Sequence, residues 1–548
     1  MLPVQGCGGA ANQDNQAAKS ERITASAPPK LLVGVNTHFA SSQTNPADNQ
    51  SLAQQAGIIS FRDAVLWSQV ELTPGQYIMP AKVERGIDLA LNSGMEPLLI
   101  LCYGNKFYDN KDMPVSEEAQ AAFVRYAEFV AKYYRGKVKL YEVWNEWNVG
   151  GGIPKNNFFV NSLYRGLLGR GYSANLTSDP EVKYWVDALN NNVITKEAVI
   201  SALFLAEESQ TLYPVTLTDS EFIDRLYANA LLRPAEPAGK AMWLNYLQSG
   251  WRRADVVRAI VLTDEFPAHW RRGDAAVYLR LLSKTYAALK KIDPDIKIIG
   301  GAVTGGGLAT SWLEEIIKLG AMDFMDAISV HPYNYWDGPN ATPENIMSGI
   351  AELENRLVAL SNTKKEIPIY ITEIGWPNHQ GQYGFPQEIS ATYIQRLLLL
   401  ARTESYIKGI WWYDFQNDGT DPNINEHNFG LVNYDLTPKN AYYSLQEIAQ
   451  LATYADYSEQ IKTELPITAL KFMSPDGSAT LALWTVNQNI LNNITVSYNN
   501  ASISANVSGV LRSGTNLIAT NKVNITIDLT ERPKFIFGNI GEVEISQN

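Results

Sequence analysis

The stretch Tyr141–Gly152, YEVWNEWNVGGG, opens as an apolar, aromatic run and stops on a polar pair, Asn145 and Glu146, before three glycines. It reads as a buried strand that ends abruptly. Whether Glu146 is a reacting group at a strand end or a solvated loop charge depends on what the rest of the chain places beside it.

Working outward, short apolar runs alternate with helical patterns, the signature of βαβ units around a parallel sheet. Upstream, LLVGVNTHF (31–39), IISFRDAVLW (58–67) and EPLLILCYGN (96–105) read as strands, and KVKLYEVWNEWN (137–148) as the fourth. The third has the unbroken apolar character of a strand covered on both faces. Between them, 79–94 carries Val83, Ile87, Ala90 and Leu91 on one helical face and stops at Gly94. Residues 116–136 form a further predicted helix, with Ser116 as N-cap, acids in the first turn and Gly136 as the stop. Downstream, strands are predicted at 296–306, 325–336, 367–378 and 407–418, with helix-compatible segments between them and at 437–452. Eight such units describe a (β/α)8 barrel, whose reacting groups sit at the C-terminal ends of the strands. A doubly wound open sheet is the alternative that the alternation alone leaves.

Between the fourth strand and its helix lies an all-helical insertion, 156–269, that repeats itself. FVNSLYRGLLGR (159–170) matches FIDRLYANALLR (222–233), and EAVISALFLAEES (197–209) matches ADVVRAIVLTDEF (254–266). Each copy resembles the domain of unknown function numbered 4214. Residues 31–155 and 270–452 are thus assigned to the barrel. From 453 to 548 the texture changes to short alternating stretches with a PDG turn at 475–477, which predicts a β-sandwich.

Composition sets limits on function. The chain has 548 residues, enough for several domains, and its net charge of −12 argues against a nucleic-acid partner. Thirteen Trp and 28 Tyr suit the stacking of flat sugar faces, though they also fill ordinary cores. No apolar run reaches about 18 residues, so no helix is expected to span a membrane. The five histidines lie on separate segments without metal-ligand spacing, so neither a metal nor another cofactor is expected. GGAVTGGG (300–307) lacks the lysine and spacing of a phosphate loop. Cys102 lies in an apolar run as a buried thiol.

If the barrel holds, Glu146 ends the fourth strand, and YITEIGWPN places a second acid, Glu373, at the end of the seventh. Two carboxylates facing one cleft are what glycoside hydrolysis requires: one protonates the leaving oxygen and the other attacks the anomeric carbon. An ionised nucleophile also raises the pKa of its neighbour, so identical side chains take different roles.

An Asn–Glu pair ending strand four, with a Glu ending strand seven, resembles clan A of the glycoside hydrolases. The segments FRDAVLWSQVELTPGQY, WNEWN, HPYNYW, TEIGWP and NFGLVNYDLTPKNAYYSL are similar to family 39, particularly its bacterial exopolysaccharide-degrading members. The resemblance spans about 31–150 and 270–450 and implies a retaining enzyme with Glu146 as acid/base and Glu373 as nucleophile. It further implies that Asn145 binds the sugar 2-hydroxyl and that Arg62, His331 and Tyr333 support the nucleophile. Arg62 could instead pair with Asp63, and His331 could be a core histidine. Trp376 and Trp412 are read either as sugar-stacking platforms or as barrel packing, and His38 either as lining the sugar site or as structural. The expected activity is endo-cleavage of β-glycosidic bonds in a bacterial exopolysaccharide. The alternatives are an exo-acting β-xylosidase or β-glucosidase, and a non-catalytic carbohydrate-binding matrix protein. A monomer is expected.

LPVQGCGG (2–9) resembles the end of a bacterial lipoprotein signal, which implies a lipid anchor at Cys7 and a tether to about residue 30. The protein would then be secreted, periplasmic or lipid-anchored at the cell envelope. The other reading is an N-terminus that merely contains a cysteine.

Overall fold

A computed structural model describes residues 29–39, 46–151, 154–171, 176, 179–263, 265–270, 274–361, 365–486, 490–499, 506–508 and 522–547. Cys7 and the N-terminal tether lie outside the described residues. Eight parallel strands close into a barrel: β1 (Leu32–Asn36), β2 (Ser60–Leu66), β3 (Glu96–Cys102), β4 (Leu140–Val143), β5 (Lys297–Val303), β6 (Ala327–Val330), β7 (Ile369–Ile374) and β8 (Ile407–Trp412). Each pairs with its sequence neighbour, and β1 meets β8 with Leu32 opposite Gly409, so the open-sheet alternative is set aside.

Alternation of side chains along the strands builds two cores. Leu98, Ile100, Leu140, Ile299 and Trp411 pack together as a small inner cluster. Trp411 needs room, and glycine supplies it: a Cβ at Gly34 would stand 2.3 Å from the Trp411 ring and one at Gly409 2.6 Å from it. The opposite faces, among them Phe61, Val65, Tyr141 and Val143, pack outward against the surrounding helices. Those helices start on local signals. The Ser116 hydroxyl accepts from Ala119 N at the start of Glu117–Tyr133, and the Asp274 carboxylate accepts from Val277 N at the start of Ala275–Ile292.

Between β4 and Ala275–Ile292 lie two successive sets of helices. The first contains Lys155–Ser162, Pro180–Asn190, Lys196–Leu205 and Glu207–Leu212. The second contains Asp219–Ala230, Pro237–Gln248, Arg253–Val261 and Glu265–Trp270. They share one core of their own, from Val160 to Trp270, distinct from that of the barrel.

After the last barrel helix, Asn440–Tyr454, the chain forms a five-stranded and a three-stranded sheet. Ile467, Leu481, Val496, Ile525 and Ile536 pack between them as in a sandwich. Phe472, Trp484 and Phe535 instead join the barrel's outer core, and Trp484 Nε1 donates to Glu344. Among the described residues no helix is long and apolar enough to cross a membrane.

Candidate active site

The acid at the end of β4 is aimed by its backbone. Leu140 and Glu142 face the barrel interior, so strict alternation would send Trp144 inward and Asn145 outward. Trp144 instead adopts φ 69° and Glu146 φ 54°, left-handed values that cost an ordinary residue about 1–3 kcal/mol unless its surroundings hold it there. Trp144 packs into the outer core, while Asn145 and Glu146 line the cleft. Glu146 N is held by the Ala302 carbonyl at 2.9 Å, and its carbonyl accepts from Gly151 N at 2.8 Å. The glycines after Glu146 are needed for this return: a Cβ at Gly151 would meet the Asn145 carbonyl oxygen at 2.4 Å.

Glu373 reaches the same cleft by another device. On β7, Tyr370 and Thr372 point inward, so Glu373 would ordinarily face the helices. Between β8 and β7 the register slips, with Ile410 opposite Ile371 but Trp412 opposite Ile374. The extra residue is a β-bulge that turns Glu373 toward the barrel mouth.

The two acids meet at His331. Its Nδ1 lies 3.0 Å from Glu146 Oε1 and 3.6 Å from Glu373 Oε2, and one donor atom from each of the three residues lies within 4.8 Å of the others. A retaining pair sits about 5–5.5 Å apart, whereas an inverting pair needs about 6.5–9.5 Å to admit a water. Glu373 is buried, while a quarter of the Glu146 side chain remains exposed.

Arg62 organises the floor. Its Nε donates to Glu142 at 2.7 Å, one terminal nitrogen donates to Asn36 at 2.8 Å and Glu373 at 2.7 Å, and the other to Asn145 at 2.7 Å. Tyr333 donates its hydroxyl to the other Glu373 oxygen at 3.1 Å. Burial works against a charge on Glu373, but His331, Arg62 and the Tyr333 hydrogen bond outweigh it and hold the carboxyl below its ordinary range. Arg62 therefore pairs with Glu142 and Glu373; Asp63 points elsewhere and accepts from Thr37 and Phe39.

His38 lines the cleft, with Nδ1 3.0 Å from Asp418 and 3.4 Å from Asp414. Burial lowers its pKa, but the two carboxylates dominate and push it up to about 10. A group whose folded pKa is raised in this way stays protonated at neutral pH.

Of the two readings of Trp376 and Trp412, the structure places both side chains in barrel packing. Trp376 is buried: it donates Nε1 to the Ala341 carbonyl and packs on Tyr393 and Trp412. Trp412 follows the inward Trp411 on β8, so alternation turns it to the outer core, where Nε1 donates to the Phe429 carbonyl. Neither lines the cleft. His331 lies beside both acids, outside the cleft lining, with Nε2 3.1 Å from the Thr372 hydroxyl.

Four further residues escaped the sequence reading. Glu142 and Asn36 are Arg62 partners, Tyr103 accepts from Asn145 Nδ2 at 2.9 Å, and Tyr413 lines the cleft. Glu142 did carry a signal, since an acid at an inward position of a buried strand requires a cation.

The cleft measures about 1310 Å³, and one of its walls is formed by the inserted helices, which start one residue before the expected bound, at Lys155, and contribute Lys155, Phe159, Lys196 and Thr263.

Comparison with known proteins agrees with this architecture. Residues 147–213 and 201–270 match the Domain of unknown function family DUF4214. Over 93% of this chain and 81% of the other, the fold is similar to a family 39 glycoside hydrolase from the gut symbiont Bacteroides cellulosilyticus WH2, with TM-score 0.58 and 19% identity. Also similar are a monomeric beta-xylosidase from Caulobacter crescentus CB15 (12% identity, TM-score 0.49, 94% and 98% covered) and the GH39 enzyme from Xanthomonas axonopodis pv. citri (12%, 0.49, 95% and 96%). The chain thus carries the fold of the Bacteroides family 39 glycoside hydrolase, interrupted after β4 by a segment that matches DUF4214.

Proposed function

We propose that the protein is a retaining glycoside hydrolase that cleaves β-glycosidic bonds within a polysaccharide, with a bacterial exopolysaccharide as its substrate. The observation that carries this reading is the short spacing of Glu146 and Glu373 around His331. Ionised Glu373 attacks the anomeric carbon while Glu146, as the acid, protonates the glycosidic oxygen, and the leaving sugar departs as an alcohol. Glu146, now a carboxylate, takes a proton from water; the hydroxide attacks the same carbon and releases Glu373. Asn145 gives one amide hydrogen to Tyr103 and keeps the other for the sugar 2-hydroxyl, a contact that strengthens in the transition state.

Endo action is supported by a second groove that adjoins the cleft. Tyr335 and Trp336 are walls both of the cleft and of a second groove of about 610 Å³, which also includes Tyr383 and Ile424. An exo-acting β-xylosidase or β-glucosidase would instead close its pocket behind one terminal sugar. The same reading has the protein act as a monomer outside the cytoplasm, secreted or anchored through Cys7.

Turnover of aryl β-glycosides and β-linked polysaccharides, with the first product anomer followed by NMR, tests the mechanism. The first-formed product should be β, and Glu373→Gln should abolish turnover while leaving the thermal transition in place. An α product, or a Glu373→Gln variant with substantial activity, would overturn it.

A further inference from the structure

We propose that the helical insertion supplies a subsite for an anionic sugar, so that the polysaccharide carries carboxylate or sulfate groups on the side of the cleft that the insertion lines. This rests on the glycosidase reading and adds the charge class of the substrate.

Most cations of the insertion are matched by acids. Arg170 meets Asp179 and Glu208, Lys183 meets Asp187, Arg233 meets Glu236 and Glu265, Lys240 meets Asp224, and Arg253 meets Asp219. Lys155 and Lys196 are exposed, have no carboxylate within ion-pair distance among the described residues, and both line the cleft. They come from different helices, Lys155–Ser162 and Lys196–Leu205, which the fold brings to one wall. The ammonium of Lys196 lies 4.9 Å above the Phe159 ring, and Phe158 and Phe159 are half-buried cleft residues. Two positive charges outside any ion pair, with only Glu197 as a nearby acid of Lys196, stand beside aromatic faces and suit a sugar ring bearing a negative group: the ring packs on the aromatic, and the anion meets ammonium.

The barrel side of the cleft carries both signs in close pairs. Glu373 is paired with Arg62 and His38 with Asp414 and Asp418, while Glu146 and Glu426 complete that side. Charges on that side are already paired with one another, so the cations open to an anionic group of the polymer are those of the insertion. Lys155 and Lys196 face the cleft in a chain whose net charge is −12, which would on average repel a polyanion.

The test uses the full chain carrying Glu373→Gln, so that binding is read without turnover. Its affinity electrophoresis is run in gels cast with alginate (carboxylate), carrageenan (sulfate) or xylan (neutral). Retardation by at least one acidic polymer should weaken with salt and fall about three- to tenfold when Lys155→Ala and Lys196→Ala are combined, as expected for two exposed charge contacts. Lys155→Arg with Lys196→Arg should preserve it. Lys137→Ala with Lys462→Ala, an equal change of net charge at exposed positions away from the cleft, should leave it unchanged. Alginate and carrageenan together identify which anion is taken. Equal retardation of the Lys155/Lys196 and Lys137/Lys462 variants, or no retardation by either acidic polymer, overturns the proposal. Neither result bears on the roles of Glu146 and Glu373, which the anomer experiment tests separately.

Discussion

At the barrel mouth, the Arg62 side chain is 2% exposed and its ion-pair partner Glu142 is wholly buried. In the insertion, Arg170 is 29% exposed and meets Asp179 and Glu208 at the surface. Both arginines bridge two carboxylates at similar distances, yet the energetics differ. Water already stabilises the exposed charges, so their pairing adds little. The buried set has lost that hydration, and each charge is tolerable only while its partners stay in place. Position inside the fold, rather than the type of contact, decides what a salt bridge does. In the barrel, it fixes Glu373; in the insertion, it tidies a solvated surface and leaves Lys155 and Lys196 facing the cleft.

The sharpest way to break this comparison is Arg62→Met. It leaves Glu142 and Glu373 buried without their cation, and unfolding in urea should show a loss of about 3–5 kcal/mol. A loss below about 1 kcal/mol would mean that the buried network is no different from the surface pairs. Tyr333→Phe is a gentler probe of the same network. The Tyr333 hydrogen bond helps lower the pKa of Glu373, so its removal raises that pKa. Glu373 then becomes protonated at a higher pH: if it is the nucleophile proposed above, the acid limb of kcat/KM should move upward, and its plateau should fall about tenfold, the value of one hydrogen bond to a charged group. An unmoved acid limb would separate Tyr333 from the ionisation of Glu373. Lys183→Ala, which removes an exposed pair with Asp187, should change stability by no more than about 0.5 kcal/mol in the same urea titration. A larger effect would show that the insertion relies on its surface pairs.

Much of the site could be read along the chain because barrel chemistry is tied to strand ends. Glu146 and Glu373 each close an apolar run, and a run of that kind can be recognised from neighbours in sequence alone. The floor was harder to read. Arg62 reaches Glu142 across 80 residues and Glu373 across 311, and nothing local in FRDAVL distinguishes those partners from Asp63 next door. The tryptophans show the same limit. Trp411 and Trp412 are adjacent and chemically identical, and only the direction of alternation on β8 sends the first into the barrel and the second away from the cleft.

What the sequence by itself determined is therefore periodic and local: eight strand–helix units, helix caps such as Ser116, the repeated helical insertion, and two acids at strand ends. Tertiary structure alone decided where those acids point. A left-handed turn at Trp144, anchored by the carbonyl of Ala302, and a bulge on β7, visible only in its register with β8, turn Glu146 and Glu373 into one cleft. Both features depend on contacts between distant strands, and so does the wall of lysine and phenylalanine that the insertion adds. Local propensity sets which elements form; register and packing set which side chains meet.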